Sequence, residues 1–439
     1  MSSIVGSRRG MHPAWMVLMA FVVAMVSAAA ASAGDSSHFR WAQNEDGITL
    51  PDGFRRVVVA DDLGTVRHIE VRDNGDVYAA LRQVHQGGGI VALRDTNGDS
   101  VADVQKRFGE DGGTGIGFYN GDLYFATPLK VIRYPMEDGK LLPTGPPELV
   151  VGGFPEQGQH ADKTFAFDDK GHMFVNVGGP SNACQEETRT PHVDGMEPCP
   201  QLERHAGIWR FDATELNQTQ QEDGVHFATG IRHTVTMMWN GCVDELYIMQ
   251  HGRDQLHSLW PEKFTVEQNA KLPAEELLQV QKGDNFGWPY CYYDPFKEKR
   301  VLAPEYGGDG EEVGRCDQYD RPVMAFPAHW APNGLMFYNG SQFPDRYFGG
   351  AFIAFHGSWN RAPLEQQGYK VVFVPFEDGK PAGDFEVFAN NFAGEGPIES
   401  TGDARWRPMG LAQGPDGSLY MSETDDGRIW RVLYRPEKR

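Results

Sequence analysis

Asn74-Gly75-Asp76-Val77-Tyr78, Asn120-Gly121-Asp122-Leu123-Tyr124 and Asp169-Lys170-Gly171-His172-Met173-Phe174 repeat one phrase, a tight turn followed by a strand with an aromatic residue. Asn-Gly and Asp-Gly supply the positive-φ residues that short hairpin turns require, and the alternating run after them suits a pleated strand. Pro415-Asp416-Gly417-Ser418-Leu419-Tyr420 is another good copy; Asp244-Glu245-Leu246-Tyr247 and Asp345-Arg346-Tyr347-Phe348 are weaker ones. The aromatics fall at 78, 124, 174, 247, 348 and 420, and the first two intervals, 46 and 50 residues, have the length of a four-stranded propeller blade. The wider later intervals imply loop insertions. Six copies predict an all-β chain, a six-bladed β-propeller of four-stranded antiparallel blades filling residues 51–435 as one domain. The rival architecture is a pair of β-sandwiches. Helical periodicity is scarce, and a short helix is expected only at Leu272–Val280, inside an insertion.

Upstream of the repeats, Arg8 and Arg9 precede an apolar run from Ala14 to Ala31, and Ala31-Ser32-Ala33 has the small residues of a cleavage site. This predicts a secretory signal over residues 1–33, with residues 34–50 as the leader of the mature chain. A membrane anchor is the bland alternative, but the run is short for a span and nothing later is long and apolar enough. No stable membrane insertion is expected after cleavage, and the expected location is periplasmic or secreted. The Arg pair also raises twin-arginine export, which Gly10-Met11-His12 continues poorly.

The 439 residues carry 40 Lys and Arg against 61 Asp and Glu, a net charge of −21. Such acidity disfavours nucleic acid and anionic lipid as partners, and otherwise serves solubility. Cys184 and Cys199 bracket one polar loop, and Cys291 and Cys316 another. Loop-closing pairs in an exported protein read as disulfides, although spacing does not fix the connectivity. Cys242 is then left over as a buried thiol. There is no Cys-x-x-Cys-His for an attached haem.

Within this acidic chain, basic groups recur in short signatures beside the expected strands. They are Gln159-His160, Gly230-Ile231-Arg232-His233, His251-Gly252-Arg253, the segment 326–332 with His329, and Arg405-Trp406-Arg407. Strands converging on one axis would bring them to a shared site, and a site so rich in Arg and His asks for a small anionic ligand. His160 is the candidate base, since a neutral imidazole with a pKa near ~6.5 takes a proton at ambient pH. A loop histidine without a role is the competing reading. Arg405 and Arg407, two apart on a strand, would share a face and form a carboxylate clamp; a solvated edge strand explains them almost as well. Asp95, Asn97, Asp99 and Asp103 place oxygens at positions 1, 3, 5 and 9 around Gly98, as a calcium-binding turn does. Lys106 stands where an EF-hand has its last Glu, and an Asp-rich β-turn is the alternative.

The ordered set resembles the soluble quinoprotein sugar dehydrogenases, the six-bladed propellers related to soluble glucose, aldose sugar and sorbosone dehydrogenases. The likeness runs from about Asp52 to Val432. It rests on the order of Gly113–Gly117, Gly230–His233, Asp284–Cys291, Pro327–Pro332, His356-Gly357-Ser358-Trp359-Asn360-Arg361 and Arg405-Trp406-Arg407, and leans toward the sorbosone and pyranose dehydrogenase branch. The resemblance implies pyrroloquinoline quinone (PQQ), a tricarboxylate, at the propeller axis. It makes His160 the base that deprotonates the anomeric hydroxyl and Arg232 the cation beside the reacting quinone oxygen. Arg405 and Arg407 then match the pair that binds cofactor carboxylates, and His233, His251, His329, Arg361 and Arg82 line the site. It also implies Ca2+ on the main-chain carbonyls of Gly252 and Arg253. The expected activity is oxidation of a sugar or sugar aldehyde at C1, with electrons passing to an external quinone or soluble cytochrome. Glucose-oxidising members have an acid about nineteen residues after the catalytic His, where this chain reads Val177-Gly178-Gly179-Pro180; Asp162 is the substitute orienter expected here. Two other readings remain: a calcium-dependent propeller lactonase, which needs acidic side chains round the axis, and a non-catalytic sugar- or protein-binding propeller.

Overall fold

In the computed structural model, which describes residues 47–436, each copy of the turn phrase connects the first two strands of a four-stranded sheet. The expected signal and nearly all of the leader lie outside the described residues. Blade 1 consists of Val66–Val71, Val77–His85, Gly88–Arg94 and Val104–Phe108. Blade 2 has Gly115–Tyr119, Asp122–Ala126, Val131–Tyr134 and Glu148–Gly152, with Gln218–Thr219 added in parallel at its edge. Blade 3 has Phe165–Phe167, His172–Val177, Gly207–Asp212 and Val225–Thr229; blade 4 has Thr234–Asn240, Glu245–Gln250, Glu275–Val280 and Met324–Phe326. Blade 5 has Pro332–Phe337, Ala351–Phe355, Lys370–Val374 and Glu386–Ala389. Blade 6 takes Pro408–Gln413, Leu419–Glu423 and Ile429–Tyr434 from the end of the domain and its outermost strand, Phe54–Ala60, from the beginning. Phe54 pairs with Tyr434 and Arg56 with Val432, so backbone hydrogen bonds close the six-bladed ring.

Tyr78, Tyr124, Phe174, Tyr247 and Tyr420, the aromatics of the repeat, are all buried on second strands. Burying a side chain of this size contributes about 1.5–3 kcal/mol, which explains why the blade repeats it. The fifth copy is displaced. Asp345–Tyr347 forms a short 3-10 turn, the strand starts at Ala351, and Phe352 takes the buried place while Phe348 is 59% exposed.

Other expectations are corrected. Glu275–Val280 is a strand rather than part of a helix: it is hydrogen-bonded on both sides and five of its six residues are buried, so no one-sided helical stripe exists. The helical turns lie upstream, at Leu256–Leu259 and at Val266–Lys271, where Thr265 and Gln268 form a capping box. Arg405–Arg407 precedes the strand Pro408–Gln413, so strand periodicity does not align its two guanidiniums. Cys242 is exposed in a hairpin turn. Cys184 is bonded to Cys199 and Cys291 to Cys316. Among the described residues no helix is long and apolar enough to cross a membrane.

Candidate active site

Antiparallel order sorts the connections between two faces. Turns from first to second strand and from third to fourth leave at one face. Connections from second to third strand, and from each blade to the next, open at the other. His160 lies between blades 2 and 3, Arg232 and His233 between 3 and 4, His329 between 4 and 5, and Arg405–Arg407 between 5 and 6. His251–Arg253 and His356–Arg361 follow second strands, and Arg82 lies near the end of one. All therefore arrive at one end of the axis. Register irregularities at the start of the first strands of blades 1, 4, 5 and 6 re-aim side chains at this same end.

A cavity of about 280 Å³ opens there, walled by Gln159, His160, Arg189, Arg232, His233, His251, Gly252, Asp254, Glu275, His329, Ala331, Ser358 and Trp359. A larger cavity, about 490 Å³, fills the other end of the axis; its walls include Phe118, Phe167, Trp239 and Phe337, with Glu70 and Asp73, and lack the convergence of basic groups.

His160 sits in the left-handed region at φ 53°, a conformation that costs a non-glycine residue roughly 1 kcal/mol or more. Its Nδ1 lies 2.6 Å from the Gly179 carbonyl oxygen. A carbonyl only accepts, so Nδ1 carries the proton and Nε2 is the basic nitrogen. The ring stacks on His233 at 4.5 Å, and His233 meets His251 edge-on at 5.0 Å. Burial, reinforced by the charge of Arg232, holds His160 neutral well below the ordinary imidazole range. Burial also lowers His233 strongly and brings His251 to about 4. Nδ1 of His233 is buried without a hydrogen-bond partner, an unmet polar group on the cavity wall.

Arg232 is held on several sides. Its guanidinium donates to Asp254 at 2.8 Å, to the Gly252 carbonyl at 3.0 Å and to the Asn182 side chain at 3.0 Å. Burial lowers its pKa to about 10, against the favourable charge of Asp254, so it stays protonated. Asp254 also receives Arg189 at 2.8 Å; burial alone would raise its pKa, but the two guanidiniums pull it below the usual carboxylate range. Behind Arg232, Gln250 accepts its backbone N–H at 2.9 Å and donates to Glu276, which pairs with buried Arg300. Glu275 accepts from the backbone N–H groups of Gly252 and Ala331, and burial raises its pKa to about 7.

The remaining expected residues differ in placement. His251 and His329 wall the cavity, with Nε2 of His251 on the Pro332 carbonyl and Nε2 of His329 on those of Asn269 and Leu272. Arg407 donates to the carbonyls of His356 and Gly357 at 3.2 and 2.7 Å, whereas exposed Arg405 lies over the Trp406 ring at 4.0 Å. Arg361 donates to the carbonyls of Ala270 and Glu365. Arg82 is exposed. The Arg253 guanidinium pairs with Glu305, whose other oxygen accepts from Trp260. Asp162 does not orient His160; it accepts from Arg67 at 2.9 Å and Thr114 at 3.0 Å. Asp95–Asp103 connects the third and fourth strands of blade 1, on the face away from the site. There Asp95 accepts from the N–H groups of Asn97, Gly98 and Ser100, Asn97 from that of Asp99, and Asp103 from Thr96. Its oxygens thus close the turn itself, and among the described residues no group of three or more His, Cys, Asp or Glu is placed to hold a metal ion.

Sequence reasoning missed Arg189, Asp254 and Glu275. Asp254 adjoins the quoted His251-Gly252-Arg253, so position gave some signal for it, whereas Arg189 lies in the loop bracketed by Cys184 and Cys199, where nothing marked it. Glu275 falls inside Leu272–Val280, where the sequence predicts a helix and the structure has a strand.

Residues 48–435 match the family described as TrAA12-like. An uncharacterized protein of Borreliella burgdorferi is 26% identical over 219 residues, 49% of this chain and 50% of the relative. A pyrroloquinoline quinone-dependent pyranose dehydrogenase of Coprinopsis cinerea is 28% identical over 189 residues, 36% of this chain and 25% of the relative. The matches thus span about half or less of these curated relatives. Among solved structures, the holo PQQ domain of the Coprinopsis cinerea pyranose dehydrogenase superposes with a TM-score of 0.70 at 20% identity, covering 90% of this chain and 97% of that one. The apo soluble aldose sugar dehydrogenase of Escherichia coli gives 0.55 at 19% identity, covering 87% and 100%. At these identities the superpositions establish the propeller fold.

Proposed function

The chain belongs to the TrAA12-like family, and from that premise we propose that it is a PQQ-dependent sugar dehydrogenase. It would oxidise an aldose or sugar aldehyde at C1 and pass electrons to an external acceptor, a quinone or soluble cytochrome. The two disulfides favour an oxidising compartment, in keeping with a periplasmic or secreted protein. The observation that carries the reading is a neutral histidine with its proton fixed on Nδ1, in the wall of a cavity shared with two arginines.

The donor set suits a tricarboxylate. Arg189 and Arg232 wall the cavity, Arg407 lies among the same loops, and the unpartnered Nδ1 of His233 awaits a polar ligand atom. When bound, PQQ supplies the acceptor for the hydride leaving C1. His160 takes the C1 hydroxyl proton at Nε2, while its Nδ1–H keeps the Gly179 carbonyl and holds the ring in place. Arg232, fixed by Asp254 and Asn182, sets positive charge where negative charge develops; donors already in position need no reorganisation during reaction. Of the other proposed cofactor contacts, His233, His251 and His329 reach the cavity wall, while Arg82 and Arg405 are exposed and Arg361 is held on the carbonyls of Ala270 and Glu365.

Calcium fits the protein's own donors poorly. The Gly252 carbonyl already accepts from the Arg232 guanidinium, and Asp254 and Glu275 are engaged by arginines and by backbone N–H groups. An ion on the Gly252 and Arg253 carbonyls would depend on oxygens brought by the cofactor, and no step is routed through it. The same engagement of the carboxylates argues against a calcium-dependent lactonase.

The test is reconstitution. Chelator-treated protein is titrated with PQQ, with and without calcium, and offered a panel of aldoses and sugar aldehydes with a dye acceptor. PQQ-dependent dye reduction supports the reading, and failure to bind PQQ would overturn it.

A further inference from the structure

Trp359 is shared by two cavities. It walls the active-site cavity and also a second one of about 240 Å³, whose wall includes Gln255, His257, Ser258, Val266 and Asn360. The two cavities differ in charge. The first is dominated by Arg and His, whereas no Asp, Glu, Lys or Arg is among the wall residues of the second. Trp359 is 50% exposed, an uncommon exposure for so large an apolar ring.

The border that the two cavities share at Trp359 is held by hydrogen bonds. The Asn360 side chain accepts the Gln255 backbone N–H at 3.1 Å, and its Nδ2 lies beside the His329 ring; its own carbonyl accepts from Asn269 at 2.8 Å. Arg189, from the active-site wall, donates to the Gln255 side chain at 2.6 Å and stands 5.9 Å from the Trp359 ring centre. Among the described residues, the indole N–H of Trp359, the Ser258 hydroxyl and the Gln255 side-chain amide donate to no protein group, while Nδ1 of His257 meets the Phe264 carbonyl at 2.7 Å and leaves Nε2 as an acceptor.

We propose that this second cavity is a sugar subsite, and that the preferred substrate is an aldose carrying at least one further pyranose ring. A pyranose has an apolar C–H face, which packs on an indole, and neutral hydroxyls, which need donors and acceptors without a charge. A wall of amide, imidazole and hydroxyl groups, free of Asp, Glu, Lys and Arg, beside an exposed Trp supplies both. The Arg- and His-rich cavity suits the anionic cofactor, and the one free of Asp, Glu, Lys and Arg extends the substrate site. This inference rests on the dehydrogenase reading.

The experiment compares full-length holoenzyme on glucose against maltose and cellobiose, and on galactose against lactose. The readouts are the disaccharide-to-monosaccharide ratio of kcat/KM and disaccharide binding to cofactor-free protein by tryptophan fluorescence. Ser258→Trp and Val266→Trp each fill the cavity, and thermal melting checks that each folds. The expected ratio in the native protein is about tenfold or more for at least one pair, falling to about one in both variants. Loss of disaccharide binding in both variants is also expected. A native ratio near one for every pair, or a high ratio unaffected by both variants, would overturn the subsite. Absence of PQQ-dependent turnover alongside disaccharide binding that both variants abolish would retain the subsite and sink the dehydrogenase reading instead.

Discussion

The carbonyl oxygen of Gly179 lies 2.6 Å from Nδ1 of His160, nineteen residues earlier in the chain. The resemblance to glucose-oxidising enzymes directs attention to that spacing for a carboxylate, and here a neutral peptide oxygen does the orienting. It fixes the tautomer without adding negative charge. His160→Ala should therefore lower turnover by about 10²–10⁴-fold while leaving PQQ affinity within about twofold. Kinetics with a dye acceptor and a PQQ titration check this, and undiminished turnover would remove His160 from the mechanism.

Gly178 packs against His160. A Cβ at this glycine would meet the His160 carbonyl oxygen at 2.6 Å and the His160 Cβ at 2.7 Å, and neither atom belongs to a flexible tip. Gly178→Ala is expected to displace the base, reducing kcat by about tenfold or more with a destabilisation of about 1–3 kcal/mol. Native kcat in this variant would show that the loop yields without moving the imidazole.

The buried histidines give the fold a pH signature. Burial lowers His68, His160, His205, His226, His233, His251, His329 and His356, with His68, His205 and His251 at about 4. Unfolding lets them take protons near ~6.5, so the unfolded state binds more protons and stability falls as pH drops from there toward 4. Glu70, Glu275 and Glu423 act oppositely, since burial raises each to about 7 and their contribution is lost as pH rises through 7; burial raises Asp284 and Asp425 as well. The lowered imidazoles outnumber the raised carboxylates, so Tm should decline between pH 6.5 and 4.5. A flat or rising Tm across that window contradicts this assignment.

The propeller was legible because one physical event, a positive-φ turn followed by a buried aromatic, recurs in every blade. It blurred in blade 5, where the 3-10 turn at Asp345–Tyr347 delays the strand and Phe352 replaces Phe348. Glu275–Val280 misled because a strand buried on both faces shows no alternation to tell it from a short helix. His160, Arg232, His233, His251 and His329 were legible from motif order. Arg189 was not: it reaches the site through the 181–206 loop, where neither strand nor helix period marks a direction.

The two arginines of Arg405-Trp406-Arg407 are expected to behave differently. Arg407 is half-buried and fixed on the carbonyls of His356 and Gly357, while Arg405 is exposed over Trp406. Arg407→Ala should weaken PQQ binding by about tenfold or more, and Arg405→Ala by less than about threefold. Equilibrium titration of both variants decides it, and equal losses would restore a symmetric clamp.

Arg232 and calcium should compete for the Gly252 carbonyl, which accepts the guanidinium at 3.0 Å. Unit like charges about 4 Å apart repel by about 4 kcal/mol at an effective dielectric of ~20, and a divalent ion feels more. Arg232→Ala removes this charge and frees one side of Asp254. At saturating PQQ it should raise calcium affinity by about tenfold or more, although the same change weakens PQQ binding. Calorimetric titration in an Asp95→Asn background keeps the turn on the opposite face from contributing. Equal calcium affinity with and without Arg232 would mean that the ion and the guanidinium occupy different places, and the Gly252 carbonyl would lose its part in both.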